Sequence, residues 1–191
     1  MKLIVRLLTT ACCLSLIVSP STASDRVRAF QTAAADSQAA VQSIRQQYAA
    51  INRRAGRYRK VKKELSGFSL EGGEMIAYFD GPAIVKIVAN HFGEMGRASE
   101  EYYYSKGKLI FVYRKDFRYD RPMSGKVIET KENRFYFQND GLFRWINETG
   151  KPVTFGIMEF TLKEDEYRDS SSKFLSGARS RSSTIEAEGP M

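Results

Sequence analysis

Residues 102–111 carry the clearest structural signal in the chain and read Tyr102-Tyr103-Tyr104-Ser105-Lys106-Gly107-Lys108-Leu109-Ile110-Phe111. An aromatic segment leads into a glycine turn and then into an apolar segment. Aromatic and β-branched residues favour strands, and glycine supplies the positive φ that a tight hairpin needs. Similar units surround Gly81 and Gly141. The pattern predicts an antiparallel meander of about six strands over residues 66–155.

A long amphipathic pattern precedes the meander. Apolar and small residues recur at alternating steps of three and four, among them Val41, Ile44, Tyr48 and Ile51. This spacing places them along one stripe of an α-helix, which we predict over residues 25–59. Because the stripe mixes large side chains with alanine and serine, we expect it to pack on the sheet and not to form a coiled coil.

A looser helical spacing follows the meander and predicts a second helix over residues 157–175. Residues 176–191 are rich in serine and charge and have little apolar surface, which predicts a disordered tail. The fold class is therefore α+β, with an N-terminal amphipathic helix packed on the meander and a C-terminal helix. Residues 25–175 are predicted to form a single domain.

Residues 1–24 have the pattern of a cleavable secretory signal peptide. Lys2 and Arg6 precede a run of apolar or small residues at 7–18, and small residues follow at the cleavage position. The run is shorter than the roughly 20 apolar residues that a membrane span requires. We therefore expect an exported chain, with the periplasm favoured over the extracellular medium. After cleavage it is not expected to be an integral membrane protein.

A family resemblance rests on three segments that follow the helix containing Ile44, Arg45 and Tyr48. These segments are Leu65-Ser66-Gly67-Phe68, Ala77-Tyr78-Phe79-Asp80-Gly81 and Glu100-Glu101-Tyr102-Tyr103-Tyr104. In this arrangement, residues 40–146 resemble an uncharacterised family of exported bacterial proteins that have an N-terminal amphipathic helix and a Tyr-rich antiparallel β-meander. The resemblance implies the same fold and export, and it brings no known activity.

Several kinds of site are excluded by residue counts. Cys12 and Cys13 are the only cysteines and lie in the predicted signal peptide, so the mature chain would have no cysteine-based metal site or disulfide. His91 is the only histidine, which rules out a zinc site built from several histidines. The sequence also has no phosphate-binding glycine motif, calcium loop or nucleophile elbow. We predict no metal, no cofactor and no catalytic residue.

Four residues of the meander are candidates for ligand binding. Arginine and aspartate alternate with aromatic residues over residues 113–121, which on a strand gives one charged and one aromatic face. Such a surface could stack on sugar rings or bind an acidic partner. The candidates are Tyr102, Tyr104, Arg114 and Arg118. In the alternative interpretation the aromatic residues belong to the core and the charged row is a solvated face.

A second candidate surface is basic. Arg53, Arg54, Arg57 and Lys60 lie in a stretch without an acidic residue, in a chain whose formal net charge is +8. This patch could bind an anionic lipid or a polyanionic polymer. The alternative is an ordinary solvated helix face. Nucleic acid is not expected as a partner of an exported protein.

Two functions remain after these exclusions. The favoured one is a non-enzymatic binding or interaction domain, whose partner is an envelope protein, lipid or glycan. It accounts for the missing catalytic motifs. The alternative is a hydrolase or lyase that acts on a cell-envelope polymer. An enzyme of that kind requires a cleft in which glutamate, tyrosine and arginine side chains converge.

Overall fold

The computed structural model describes residues 23–154, 156 and 158–187, with the side chains of the first helix described from residue 37 onward. The predicted signal peptide lies outside these residues except for residues 23 and 24, so it stays a prediction. The chain divides into two compact units, residues 1–36 and 37–191. Of the first unit, the structure describes residues 23–36, and only their helical backbone. All the packing that follows belongs to the second unit.

The elements are α1 (Ala23–Arg53), a 3₁₀ turn (Ala55–Arg57), β1 (Arg59–Ser66), β2 (Gly73–Asp80), β3 (Ala83–Gly93), β4 (Gly96–Ser105), β5 (Lys108–Tyr119), β6 (Val127–Gln138), β7 (Gly141–Ile146), α2 (Met158–Arg179) and β8 (Thr184–Glu186). The strands form one sheet in the order β7-β6-β5-β4-β3-β2-β1-β8. Strands β1 to β7 are an antiparallel meander, and β8 pairs with β1 in parallel. The α+β class is confirmed, with eight strands in place of about six.

The additional strands come from segments whose apolar pattern is weak. Helix α1 ends at Arg53, before the predicted end at residue 59, and the basic stretch that follows enters β1. Lys63 points into the structure from β1, and its ammonium group donates hydrogen bonds to the carbonyl oxygens of Ser180 and Ser182. A lysine stem thus occupies a position where an apolar residue would have made the strand visible in the sequence.

The structure also differs from the prediction at the C-terminus. Helix α2 continues to Arg179, and β8 follows where a disordered tail was predicted. The amide of Glu64 donates to the carbonyl of Ser183 over 2.9 Å, and Ile185 is 7 % exposed. Backbone pairing and one buried side chain therefore order this segment as far as residue 187, and residues 188–191 lie outside the described part.

Two of the three predicted hairpin turns have a glycine with a positive φ, as expected. Gly81 and Gly107 have φ values of 60° and 78°. At the third turn the left-handed positions are Asn139 and Asp140, with φ values of 53° and 65°, and Gly141 already belongs to β7. Asparagine and aspartate tolerate this conformation better than other non-glycine residues.

Two cores lie on opposite faces of the sheet. Helix α2 covers one face, where Phe160, Tyr167 and Phe174 pack against residues of nearly every strand. The stripe of α1 covers part of the other face, where Val41 and Ile44 are buried against a smaller set of aromatic residues. The predicted packing of the first helix on the sheet is confirmed for the part of the helix whose side chains are described.

Candidate ligand-binding cleft

The tyrosines proposed as ligand contacts are buried beneath α2. Tyr102 is fully buried, and its hydroxyl donates a 2.7 Å hydrogen bond to Glu100. Burial and then the Glu100 charge raise the pKa of Tyr102 well above its ordinary value. Tyr104 is 2 % exposed and shares a 3.1 Å hydrogen bond with Ser171 of α2. The structure therefore places both hydroxyls inside the core.

The two arginines of that candidate set are separated. Arg114 is bound within the structure, because its guanidinium donates to Glu100 over 2.7 Å and to both oxygens of Asp116. Burial opposes its charge, but these two carboxylates raise its pKa. Arg118 lies farther along β5, exposed, and pairs with Glu129 over 2.7 Å. The structure brings Tyr102 and Arg114 together around Glu100, while Arg118 lies apart from them.

His91 completes a group that we call the Glu100 cluster, made of His91, Glu100, Tyr102, Arg114 and Asp116. The His91 Nε2 lies 3.5 Å from the Glu100 carboxylate. Burial alone would raise the pKa of Glu100, but His91, Arg114 and Tyr102 together bring it below its ordinary value. Glu100 is thus a buried carboxylate that stays charged. Because its partners are all side chains of the protein, we interpret the Glu100 cluster as part of the fold and not as a ligand-binding site.

The basic residues lie at one corner of the sheet, where α1 ends and β1 begins. Arg54 pairs with Asp80 over 3.0 Å, and Lys60 lies over the ring of Tyr78. Among the residues with described side chains, no acid lies within ion-pair distance of Arg53 or Arg57. The four basic residues at this corner are exposed and form a positive surface.

A concave site lies on the opposite face from the Glu100 cluster, beside α1. It is a cleft of about 360 Å³ between α1 and strands β5 and β6. We call it the aromatic cleft, and its lining residues are Ile44, Arg45, Tyr48, Phe111, Tyr113, Arg134 and Tyr136. The sheet register creates its floor, because Phe111 lies opposite Tyr136 and Tyr113 lies opposite Arg134.

The rings of the cleft pack against one another at steep angles. Tyr48 meets Phe111 edge to face, with centroids 5.6 Å apart and an angle of 81° between the rings. Phe111 meets Tyr136 at 4.9 Å and 46°. The ring of Tyr48 also meets that of Tyr103 at 4.9 Å and 59°. These contacts fix the rings and make the inner wall of the cleft largely apolar.

A polar group adjoins Tyr103, whose ring packs against Tyr48 of the cleft. Lys86 of β3 is 8 % exposed and donates hydrogen bonds to Asn52 over 2.9 Å and to Glu101 over 3.0 Å. The Tyr103 hydroxyl donates to Glu101 and accepts a 2.9 Å hydrogen bond from the Asn52 amide nitrogen. Burial and then the charge of Glu101 raise the pKa of Tyr48. Lys86 and Glu101 thus form an ion pair outside the lining of the cleft.

The charged residues that line the cleft are Arg45 and Arg134. Arg45 projects from α1 and is exposed. Arg134 donates a 2.7 Å hydrogen bond to Glu132 and lies 5.3 Å from the centroid of the Tyr113 ring. Burial and then Glu132 raise the pKa of Tyr113, so its phenol stays protonated at neutral pH. Lys115 lies 3.9 Å from Glu132 on the same face of the sheet.

The sequence predicts Tyr102 and Tyr104 as ligand contacts, whereas the tyrosines that line the cleft are Tyr48, Tyr113 and Tyr136. Ile44 and Tyr48 belong to the helix stripe that packs on the sheet, and Tyr113 belongs to the aromatic face of β5. What the pattern lacked was the pairing of that face with Arg134 and Tyr136 of β6. Strand register, which depends on the whole meander, joins these residues into one site.

The described residues offer little for other kinds of site. Within residues 23–154, 156 and 158–187, no group of three or more histidine, cysteine, aspartate or glutamate side chains is placed to hold a metal ion. In the same part of the chain, no helix is long and apolar enough to cross a membrane. Comparisons of the chain with protein-family models, with curated proteins and with solved structures give no match.

Proposed function

We propose that the chain is an exported, non-enzymatic binding domain, and that the aromatic cleft is where it binds its ligand. The observation that carries the proposal is the cleft itself. Its volume of about 360 Å³ lies within the range of small-molecule sites, about 300–1,000 Å³. Its lining is largely aromatic and includes two arginines, as in sites that recognise a small ligand through an apolar wall and a few polar groups. Export rests on the pattern of residues 1–24.

Binding accounts for the chemistry of the cleft better than catalysis does. Tyr48, Tyr103 and Tyr113 all have raised pKa values, so at neutral pH they are hydrogen-bond donors and not bases. Glu101 already accepts from Lys86 and Tyr103. A hydrolase or lyase would need a free carboxylate or a deprotonated base beside its substrate. The proximity of Glu132 to Tyr113 and Arg134 of the cleft is the one feature that favours that alternative.

The first experiment is a thermal-shift screen of the purified chain against lipids, envelope glycans, nucleotides and divalent metals. A ligand at about one hundred times its Kd adds about 2.7 kcal/mol of stability, which raises the Tm of a chain of this size by about 8 °C. The expected result is a dose-dependent shift with one class of compound. The Tyr113→Ala variant, which removes one wall of the cleft, should lose most of that shift.

Tyr119→Ala is the matched control, since Tyr119 lies six residues farther along β5, about 20 Å away. It should bind as the unchanged protein does. Equal losses of binding in both variants would place the site outside the cleft. A screen in which no class raises the Tm would count against a small-molecule site altogether. Release of products from an envelope polymer would replace the proposal with the enzyme alternative.

A further inference from the structure

We propose that the ligand of the aromatic cleft is an anionic amphiphile, a single acyl chain that ends in a carboxylate or a phosphate. This proposal rests on the function proposed above and adds the class of ligand. Three features of the cleft support it: the way its rings pack, the charge at its rim and the state of its phenols.

The ring packing favours a flexible apolar body over a sugar. A saccharide stacks on an aromatic face that is open to it. Here the rings of Tyr48, Phe111 and Tyr136 turn their faces and edges toward each other. Phe143 and Ile146 of β7 are half-buried against the same cluster and extend the apolar surface beyond the lining residues. A narrow wall of hydrocarbon fits an acyl chain, which gains free energy from each buried methylene.

The rim favours a negative head group. No acid among the described side chains lies within ion-pair distance of Arg45, so its charge is free to meet a ligand. Arg134 and Lys115 share a single acid, Glu132, whose distances to them are 2.7 Å and 3.9 Å. Lys86 and Glu101, which lie outside the lining, pair with each other. The rim therefore has an excess of positive charge, and arginine is well suited to carboxylate and phosphate oxygens.

The phenols add hydrogen-bond donors without adding negative charge. Tyr113 lies beside Arg134 at the rim, and its raised pKa keeps the hydroxyl protonated at neutral pH. Tyr48 is in the same state. The Tyr48 O–H group can donate to an anionic oxygen without repelling it, whereas the Tyr113 hydroxyl interacts with Glu132. An apolar wall beneath a rim of arginines and protonated phenols is complementary to an acid with a hydrocarbon tail.

The test compares four probes with the same tail, decanoate, decyl phosphate, decanol and decyltrimethylammonium, each below its micellar concentration. Binding to the full chain is measured by calorimetry and located by NMR shifts. A charge-assisted contact with the rim should make both acids bind about tenfold tighter than decanol. The cationic probe should bind more weakly than decanol. The ratio of the two acids tells whether carboxylate or phosphate is the preferred head group.

Arg45→Gln and Arg134→Gln should each lower the affinity for the acids several-fold more than the affinity for decanol, which brings the two affinities closer together. Arg121→Gln is the control, because Arg121 is exposed and lies outside the lining of the cleft. Equal binding of decanol and decanoate would refute the anionic head group. Binding of an acidic disaccharide, and not of these probes, in the cleft would refute the acyl chain. Both results leave the cleft as a binding site, whereas failure of every compound to bind there refutes the proposed function as well.

Discussion

Replacement of Glu100 by glutamine tests the buried cluster beneath α2 in the most direct way. The carboxylate is 4 % exposed and accepts hydrogen bonds of 2.7 Å from both Tyr102 and Arg114. A hydrogen bond to a charged group contributes about 1.5–3 kcal/mol. Glutamine keeps its shape and one acceptor oxygen, so one such contact is lost and the other is weakened. Glu100→Gln should therefore lower the free energy of unfolding by about 3 kcal/mol at pH 7.

Urea denaturation followed by circular dichroism measures this loss, and a fall in Tm of about 6–12 °C should accompany it. The matched control is Glu129→Gln, which has the same 2.7 Å contact with an arginine but lies at the surface. That variant should unfold close to the unchanged protein, since exposed pairs contribute little. If the two variants are equally stable, the charge of Glu100 is not held by the cluster and the reasoning fails.

The same substitution has a signature in the pH dependence of stability. The pKa of Glu100 in the folded protein lies below its ordinary value of 4.5. Its charge therefore stabilises the fold above pH 4.5, and this contribution is lost as the pH falls through the folded-state pKa. The difference in stability between the unchanged protein and Glu100→Gln should be full at pH 7 and shrink in acid. A difference that stays constant below pH 4.5 would contradict the assignment.

Two further predictions concern packing. A Cβ atom on Gly96 would lie 2.1 Å from the carbonyl oxygen of Phe117, so Gly96→Ala should lower the free energy of unfolding by about 2 kcal/mol. The control is Gly56→Ala, where no atom lies within 4 Å of the added Cβ and the change should be less than about 0.5 kcal/mol. Equal effects of the two substitutions in urea titrations would argue against the close approach at Gly96. Ile185→Ala should lower the free energy of unfolding by about 2–4 kcal/mol. It should also speed hydrogen exchange at the Glu64 amide, which donates to the carbonyl of Ser183 just before β8. Unchanged exchange would mean that Ile185 does not hold β8 in place.

The fold could be predicted where the pattern was local. The helix stripe and the hairpins at Gly81 and Gly107 depend on residues close in the sequence, and these predictions hold. Strands β1 and β8 depend on distant contacts. Residues 176–187 look disordered by composition, yet Ile185 packs so close to Gly177 that a Cβ there would lie 2.3 Å from its side chain. A single long-range fit of this kind leaves no periodic trace in the sequence.

For the candidate site, the sequence predicts the types of residue, tyrosine and arginine, but not which residues of these types form it. A strand of three consecutive tyrosines must send Tyr102 and Tyr104 to one face and Tyr103 to the other. The sequence does not say which face meets α2 and which meets α1. The structure buries Tyr102 and Tyr104 beneath α2, and it places Tyr103 beside Asn52 at the end of α1. The aromatic cleft thus lies on the face of the sheet that holds Tyr103, and strand alternation alone could not identify that face.

The α1 stripe also contributes one side of the cleft. Ile44 and Tyr48 belong to the stripe and line the cleft, and Arg45, the neighbour of Ile44, lines it as well. Helical spacing places these three side chains within about one turn of each other, so the sequence alone predicts that they lie close together. It does not predict which strands meet them, because Phe111, Tyr113, Arg134 and Tyr136 join the site only through the register of β5 and β6.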